Sequence, residues 1–369
     1  MKILSFHPFS LYANGGGSRI LRRLYQGREA QITSLVVEGI NNTPNKGVIN
    51  EHIVHAWPTT RKWMRWHLRT WIIFLREEKL VKLTNRRIRR VAAQIPCDII
   101  HVVHHGPFAN ALCTEEFAKK ELWVSFHDHF NTTKCTFSSS AELWNRAYRR
   151  LVISDELGIA YQQAFGNKPY DLITDGVYTD EITYPSVNDS PEPFEVYFAG
   201  LLHIAYLPLF EVLADALDKL SAEGLSFKLI LRATQKLPFL SNRLFQIEYR
   251  GITLDDNELK AELNSASILY LPIKFTLPDF YLYSLSTKMV GYLGAPGSTL
   301  YHGPGDSAAY NLLNKEGAAS CCVTLNVDDL VASILDAEKN KTKFSVKAKN
   351  LAQNKFDMSA MQNKFWQVV

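Results

Sequence analysis

The chain has 369 residues, 46% of them apolar, and a formal net charge of +4. Those values suit two domains of roughly 150–200 residues with sizeable cores and exclude a disordered or low-complexity protein. Five cysteines (Cys97, Cys113, Cys135, Cys321, Cys322) with no CxxC spacing exclude a regular disulfide framework and point to a reduced, cytoplasmic setting.

Strand-like and helical runs alternate along the chain. Lys2–Phe6 predicts a first strand (too short an apolar run for a signal peptide), Asn14–Ser18 a glycine loop, and Arg19–Tyr25 the start of a helix. Ile32–Val37 and His52–His55 are further strands. Between Arg61 and Arg90, eleven Lys or Arg residues face only Glu77 and Glu78, so this window carries +9 and the rest of the chain −5. Trp63, Trp66, Trp71 and the apolar run Ile72–Leu75, far too short to cross a bilayer, are interleaved with the charges. Basic heads on long apolar stems beside indole rings suit the headgroup region of an anionic membrane. Arg61, Lys62, Trp63, Arg65, Trp66 and Arg69 are therefore expected to touch a bilayer, peripherally and at the inner face of the plasma membrane. A solvated helical hairpin with its tryptophans in the core is the competing reading. Nucleic acid is not an expected partner, because such proteins spread basic charge along a whole face rather than one hairpin.

Ile99–Val103, Trp123–His127, Leu151–Ser154 and Leu172–Ile173 predict four more strands. Glu181–Pro193, with three prolines and almost nothing apolar, reads as a linker. A second alternation follows: strands at Val196–Ala199, Phe227–Leu231, Phe245–Tyr249, Ile268–Leu271, Thr299–Tyr301 and Ala319–Val323, with helices at Leu209–Leu220, Leu254–Asn264 and Asp328–Lys339. Two such series predict an α/β protein of two doubly wound, Rossmann-like parallel sheets, with ligands at the carboxyl ends of strands and in a cleft between the domains. The expected bounds are a first domain over 1–180, a linker over 181–194, a second domain over 195–345, and a helix over 346–369 that crosses back to the first domain.

Within the second series, Ser284–Gly297 (SLSTKMVGYLGAPG) sets hydroxyls at Ser284, Ser286 and Thr287 ahead of Met289, Tyr292 and Leu293, which share one helical face. Gly294, Pro296 and Gly297 stop the helix. Free N–H groups, hydroxyls and Lys288 thus gather at a positive helix end, which suits an anion. A plain capped surface helix is the alternative.

In this order the motifs resemble those of GT-B fold glycosyltransferases, close to the retaining GT4-like enzymes, over nearly the whole length. Gly15-Gly16-Gly17-Ser18-Arg19 is similar to the family's glycine loop. Trp123-Val-Ser-Phe-His127-Asp128 resembles the strand ending in His-Asp, and Ile153-Ser154 followed by Tyr161 resembles the next strand and helix. Asp175-Gly176-Val177-Tyr178 stands for the usual Asn-Gly-Val-Asp turn. Phe198-Ala-Gly200-Leu201 and Arg250-Gly251-Ile252 resemble the turns beside the nucleotide, and Ser286–Pro296 resembles the donor-diphosphate helix. Three departures stand out. The family usually carries a Glu where this chain has Gly291, and many members another where it has Tyr283. The basic residue expected soon after the glycine turn at Gly200 is missing from Leu202-His203-Ile-Ala-Tyr206, so Arg232 and Lys236 after the next strand are the candidates to supply its charge.

The resemblance implies a hexosyltransferase of polysaccharide biosynthesis that moves a sugar from a nucleotide-sugar co-substrate (UDP-, GDP- or dTDP-linked) to a glycan or lipid-linked acceptor. It implies retention of configuration and needs neither metal nor cofactor. His127 and Asp128 would be catalytic. Arg232, Lys236, Ser286, Thr287 and Lys288 would hold the diphosphate, since helix amides, an ammonium and a guanidinium neutralise charge growing on the leaving oxygen. Gly16, Gly17, Gly200, Gly251, Ile252 and Tyr283 would line the nucleotide and sugar pocket, with Arg19 and Ser154 on the acceptor side. The departures motivate a second reading, a GT-B-like binding or scaffold protein without catalysis. Five histidines from His101 to His129 raise a third, a metal-dependent hydrolase. It is disfavoured because His-Asp-His at 127–129 sits in an extended strand and no HExxH or HxHxDH pattern occurs.

Overall fold

The computed structural model describes residues 1–40, 47–61, 63–185, 192–200, 202–253 and 255–367. It divides into two compact units: Met1–Thr174 together with the residues from Lys364 onward, and Asp175–Asn363.

The first unit is built on strands β1 (Ile3–His7), β2 (Ile32–Ile40), β3 (Asn50–Thr60), β4 (Ile99–Val103), β5 (Glu121–Phe126), β6 (Arg149–Val152) and β7 (Asp171–Leu172). They form one parallel sheet in the order β3-β2-β1-β4-β5-β6-β7. Every residue of β1 (ILSFH) and β4 (IIHVV) is buried, as befits a parallel sheet covered on both faces. Its helices include α1 (Gly16–Tyr25), α2 (Trp66–Phe74), α3 (Val81–Ala92), α4 (Phe137–Arg146) and α5 (Asp155–Phe165).

The second unit repeats the plan. Strands β8 (Phe194–Ala199), β9 (Phe227–Arg232), β10 (Gln246–Arg250), β11 (Ile268–Pro272), β12 (Ser298–His302) and β13 (Ser320–Cys322) are ordered β10-β9-β8-β11-β12-β13, again all parallel. Helices α6 (Leu207–Ala222), α7 (Asp256–Ser265), α8 (Pro278–Tyr281), α9 (Thr287–Gly294), α10 (Ala308–Glu316), α11 (Val327–Lys339) and α12 (Lys341–Lys355) complete it, and α13 (Met358–Trp366) runs out of it. In each sheet the chain starts in the middle, runs to one edge, then returns to fill the other. The switch falls between β1 and β4, and between β8 and β11, where doubly wound sheets open a crevice at the strands' carboxyl ends.

Several expectations change in detail. The segment from Glu181 is only partly a free linker: Val177 N–H donates to Phe356 O (2.7 Å), Met358 N–H to Val177 O (3.1 Å) and Thr183 N–H to Gly294 O (2.9 Å), which ties 175–183 to the second unit. Part of the expected linker lies outside the described residues. The anticipated single helix over 346–369 is two helices broken at Phe356–Asp357. Helix α12 packs on α9 and β12, so it belongs to the second unit. Only the residues from Lys364 join the first. There Phe365 is buried against Tyr25, His101 and Trp123. Arg149 Nη1 donates to Phe365 O (2.8 Å), and Trp366 Nε1 donates to Leu24 O (2.8 Å). The basic segment also differs from a simple helical hairpin. Helix α2 runs directly into a π-helical turn, Leu75–Lys79, before α3, and both α2 and α3 pack on β3.

Candidate functional site

In the second unit the switch point is occupied by the start of α9. Ser286 is its N-cap, the hydroxyl oxygen accepting from Lys288 N–H (3.3 Å), and no acidic residue sits in the first turn. Thr287 opens the helix, leaving its first N–H groups to the crevice. The Lys288 side chain folds back beneath the turn that follows β8. Its ammonium lies 4.7 Å from the centre of the Phe198 ring. Gly200 has φ +144°, which favours glycine, and a Cβ there would stand 2.6 Å from Lys288 Nζ and push the ammonium aside.

Burial lowers the pKa of Lys288 to about 8. Among the described residues its ammonium forms neither an ion pair nor a hydrogen bond; the Phe198 face is its compensation, a weak one for a desolvated charge. The turn above it is pinned: Gly200 N–H donates to Arg232 O (3.0 Å), and the Thr234 hydroxyl donates to Gly200 O (3.1 Å). At the other end of α9, Lys349 is wholly buried and donates to Ala295 O and to Ser345 Oγ (2.7 Å). Burial lowers its pKa to about 7.

Arg232 requires a correction. Its guanidinium is buried and committed inward: Nε donates to Glu262 Oε2 (2.5 Å), Nη1 to Gly251 O (2.6 Å), and Nη2 to Glu258 Oε1 (2.6 Å) and to Glu262. The Tyr197 hydroxyl donates to the same Glu262 carboxylate (2.7 Å), and Arg250 pairs with it at 2.9 Å. Burial pushes the Glu262 carboxyl up, but Arg232, Tyr197 and Arg250 together hold it below its ordinary value. Arg232 is a strut between β9, α7 and the turn after β10, not an open cation at the crevice. Lys236, in the loop after β9, is exposed. Gly251 and Ile252 form an exposed turn after β10, Ile252 at 64%. Tyr283 is half-buried ahead of α9. At Gly291 a Cβ would meet nothing within 4 Å, so the helix has room for the side chain this chain lacks.

In the first unit the corresponding carboxyl ends bring His105, after β4, together with His127 and Asp128, after β5. His127 is half-buried. Burial lowers its pKa to about 4, opposed by Asp128 and assisted by His105, so it is neutral at pH 7. Deeper histidines are tied into the core. Tyr25 Oη is 2.6 Å from His101 Nδ1, whose Nε2 is 2.7 Å from Ser125 Oγ; His104 lies 2.8 Å from Ser140 Oγ and 3.0 Å from Tyr161 Oη. Among the described residues no group of three or more His, Cys, Asp or Glu side chains gathers to hold a metal. Gly16 and Gly17 begin α1, and a Cβ on Gly17 would press to 2.8 Å from the Phe9 ring. Arg19, in the first turns of α1, is half-buried. Ser154 is buried as the N-cap of α5, its hydroxyl accepting from Leu157 N–H (3.1 Å).

Of the expected membrane-contact residues, Arg61, Trp63, Arg65 and Trp66 are exposed. Arg69 is half-buried with Nε out of solvent, and Lys62 lies outside the described residues. Phe198 was read only as part of the glycine-turn motif and His105 only as one of five clustered histidines, so neither was given its place beside Lys288 or His127. Phe198 does stand two residues before the glycine turn, where a strand residue can reach back beneath it.

No family model matches this sequence, and no curated protein matches it. Solved structures do. Sucrose-phosphate synthase from Thermosynechococcus elongatus is similar over 99% of this chain and 97% of its own, with a TM-score of 0.70 at 13% identity. Anabaena HepE, solved with UDP and glucose, covers 99% and 98% with a TM-score of 0.68 at 14% identity. An α,α-trehalose-phosphate synthase (UDP-forming) from Burkholderia xenovorans, solved with glucose-6-phosphate, covers 99% of each chain at 0.67 and 11% identity. The fold is that of the GT-B glycosyltransferases. Within that GT-B fold, the Lys288 crevice lies in the second unit and the His127 group in the first.

Proposed function

We propose that the protein is a glycosyltransferase of the retaining, GT4-like kind that takes a nucleotide sugar as donor and a glycan or lipid-linked saccharide as acceptor, at the cytoplasmic face of a membrane. The observation that carries this reading is Lys288: a buried ammonium with no carboxylate partner among the described residues, at a helix N-terminus whose first turn holds no acid. Such a charge is poorly compensated until an anion arrives, and a diphosphate supplies the counter-charge. The likeness to proteins solved with UDP and with UDP-glucose supports a uridine nucleotide as the first donor to try.

In the proposed transfer the bond between the sugar's anomeric carbon and the phosphate oxygen breaks, and its electron pair stays on the diphosphate. The Lys288 ammonium and the amides of Ser286 and Thr287 stabilise that charge without a metal. The acceptor hydroxyl attacks from the same face, and its proton passes to the departing phosphate oxygen. Neutral His127 hydrogen-bonds the donor sugar beside the reacting carbon, and Asp128 orients it. Lys236 adds distant positive charge, Ile252 offers the base an apolar surface, and Tyr283 borders the sugar.

Melting the protein with UDP-, GDP- and dTDP-sugars tests the donor site, because a ligand at 100 times its Kd stabilises by about 2.7 kcal/mol. Absence of a shift with every donor would refute the reading. The binding-only alternative draws on Gly291 and predicts a shift without turnover. The anomeric configuration of the product, read by NMR, decides retention.

A further inference from the structure

The basic segment has two faces that its sequence does not separate. On the outer face, Trp63 is 77% exposed, Trp66 80%, Trp71 59% and Phe74 56%. Single exposed apolar residues are ordinary on a soluble protein, but four large aromatic rings in twelve residues are not scatter. At about 100° per residue, Trp66, Phe74 and Trp71 fall within one arc of α2. Exposed Arg61 and Arg65 flank them, and the Arg61 guanidinium lies 6.0 Å from the Trp63 ring centre.

The inner face lines a cavity. Ile72 and Arg76 are buried, and Arg76 lies in the π-helical turn that continues α2. Arg76 and Glu77 form part of the wall of a cavity of about 370 Å³ at the carboxyl ends of β1 and β4, within the first unit. The Arg76 guanidinium pairs with Glu77 at 3.1 Å. Lys134, exposed and without an ion pair among the described residues, stands at the same cavity, and Phe6, Phe9 and Phe108 give it apolar walls. With His105 neutral (burial lowers its pKa), Arg76, Lys134 and Glu77 leave the cavity one positive charge. One short helical run therefore shows indoles to the outside and a cationic wall to the cavity.

We propose that α2 seats on an anionic bilayer by Trp63, Trp66, Trp71 and Phe74, and that the cavity behind it takes the anionic headgroup of a membrane-resident amphiphile. That amphiphile is the acceptor, a step that rests on the transfer reading above. Indoles at the headgroup level and arginines around them match an anionic interface, which a second copy of this equally basic surface would not.

The test floats full-length protein with phosphatidylcholine vesicles, with and without phosphatidylglycerol. Binding at least about tenfold greater on the anionic vesicles, weakened by salt, is expected, and Trp66→Ser/Trp71→Ser/Phe74→Ser should remove it without lowering the melting temperature. sn-Glycerol 3-phosphate serves as the soluble headgroup. It should raise the melting temperature where glycerol does not, and Arg76→Gln/Lys134→Gln should abolish that shift yet still float. Lys134→Gln alone, on an exposed residue, repeats the test if the Arg76 variant does not fold. No flotation, lipid-free dimerisation through α2, binding to single-stranded RNA instead of vesicles, or a glycerol phosphate shift that survives the cavity variants would each overturn the proposal. If both lipid arms succeed but no nucleotide sugar shifts the melt, the transfer reading fails alone and the site for an anionic amphiphile stands.

Discussion

The two units share a strand order and differ in how they treat charge at the switch point. In the first, histidines are held neutral by burial, and the deeper ones are satisfied by Tyr25, Ser125, Ser140 and Tyr161. In the second, arginines are matched by Glu262, Glu258 and Glu248, while Lys288 is brought to the crevice without a carboxylate among the described residues. On the proposed reading, the same topology offers one surface to uncharged hydroxyls and another to an anion. What distinguishes them is the compensation of each buried group, which the fold alone does not set.

Removing the uncompensated charge is the strongest way to break this contrast. Lys288→Met should weaken nucleotide binding by about 100-fold, the scale of a lost charge-assisted contact, read by calorimetry. The same variant should melt at or above the parent without ligand, because it removes a buried ammonium. Its pH signature is specific. The folded pKa of Lys288, about 8, lies below the unfolded value, so the unfolded state binds more protons between those values. Ligand-free stability should therefore rise with pH across that window, and nucleotide affinity should fall above about pH 8 by up to tenfold per unit. A flat binding profile from pH 7 to 10 would contradict an ammonium at the phosphates.

The first unit is broken at His127. Exchange to Ala should cost turnover about 10²-fold while leaving the nucleotide-induced melting shift unchanged. Equal losses in both would place His127 in donor binding rather than at the reaction. Gly200→Ala should act more mildly, by about tenfold on nucleotide affinity, by forcing Lys288 aside and straining φ +144°. The smallest expected change sharpens the contrast. Gly291→Glu has space for its side chain and should tighten nucleotide binding a few-fold if α9 lies along a ribose. No gain would mean that the sugar-ring contacts come from elsewhere.

The alternation of apolar runs was enough to place both sheets, because β4 and β11 are unbroken buried runs that only a covered parallel strand accommodates. The N-terminal hydroxyls of α9 were equally readable, since capping is a local matter. Arg232 was not: its partners Glu258 and Glu262 are supplied by another element, so its isolation in sequence disappears in space. Helix α10 escaped because AAYNLLNKE has little amphipathic contrast and depends on its Ser307 cap. The two faces of α2 stayed hidden because Arg69 and Arg76 have the composition of a surface but lie partly or wholly inside.

The place of Phe365 and Trp366 bears on biogenesis. These rings finish the interior of a unit whose other residues end at Thr174, yet the entire second unit is translated in between. At roughly 5–20 residues per second, the first sheet waits on the order of tens of seconds at the ribosome with the pocket between Tyr25, His101 and Trp123 unfilled. The half made first is therefore the half completed last. A nascent chain arrested before Phe365 would keep its first unit protease-sensitive, although that unit's strands had long since been synthesised.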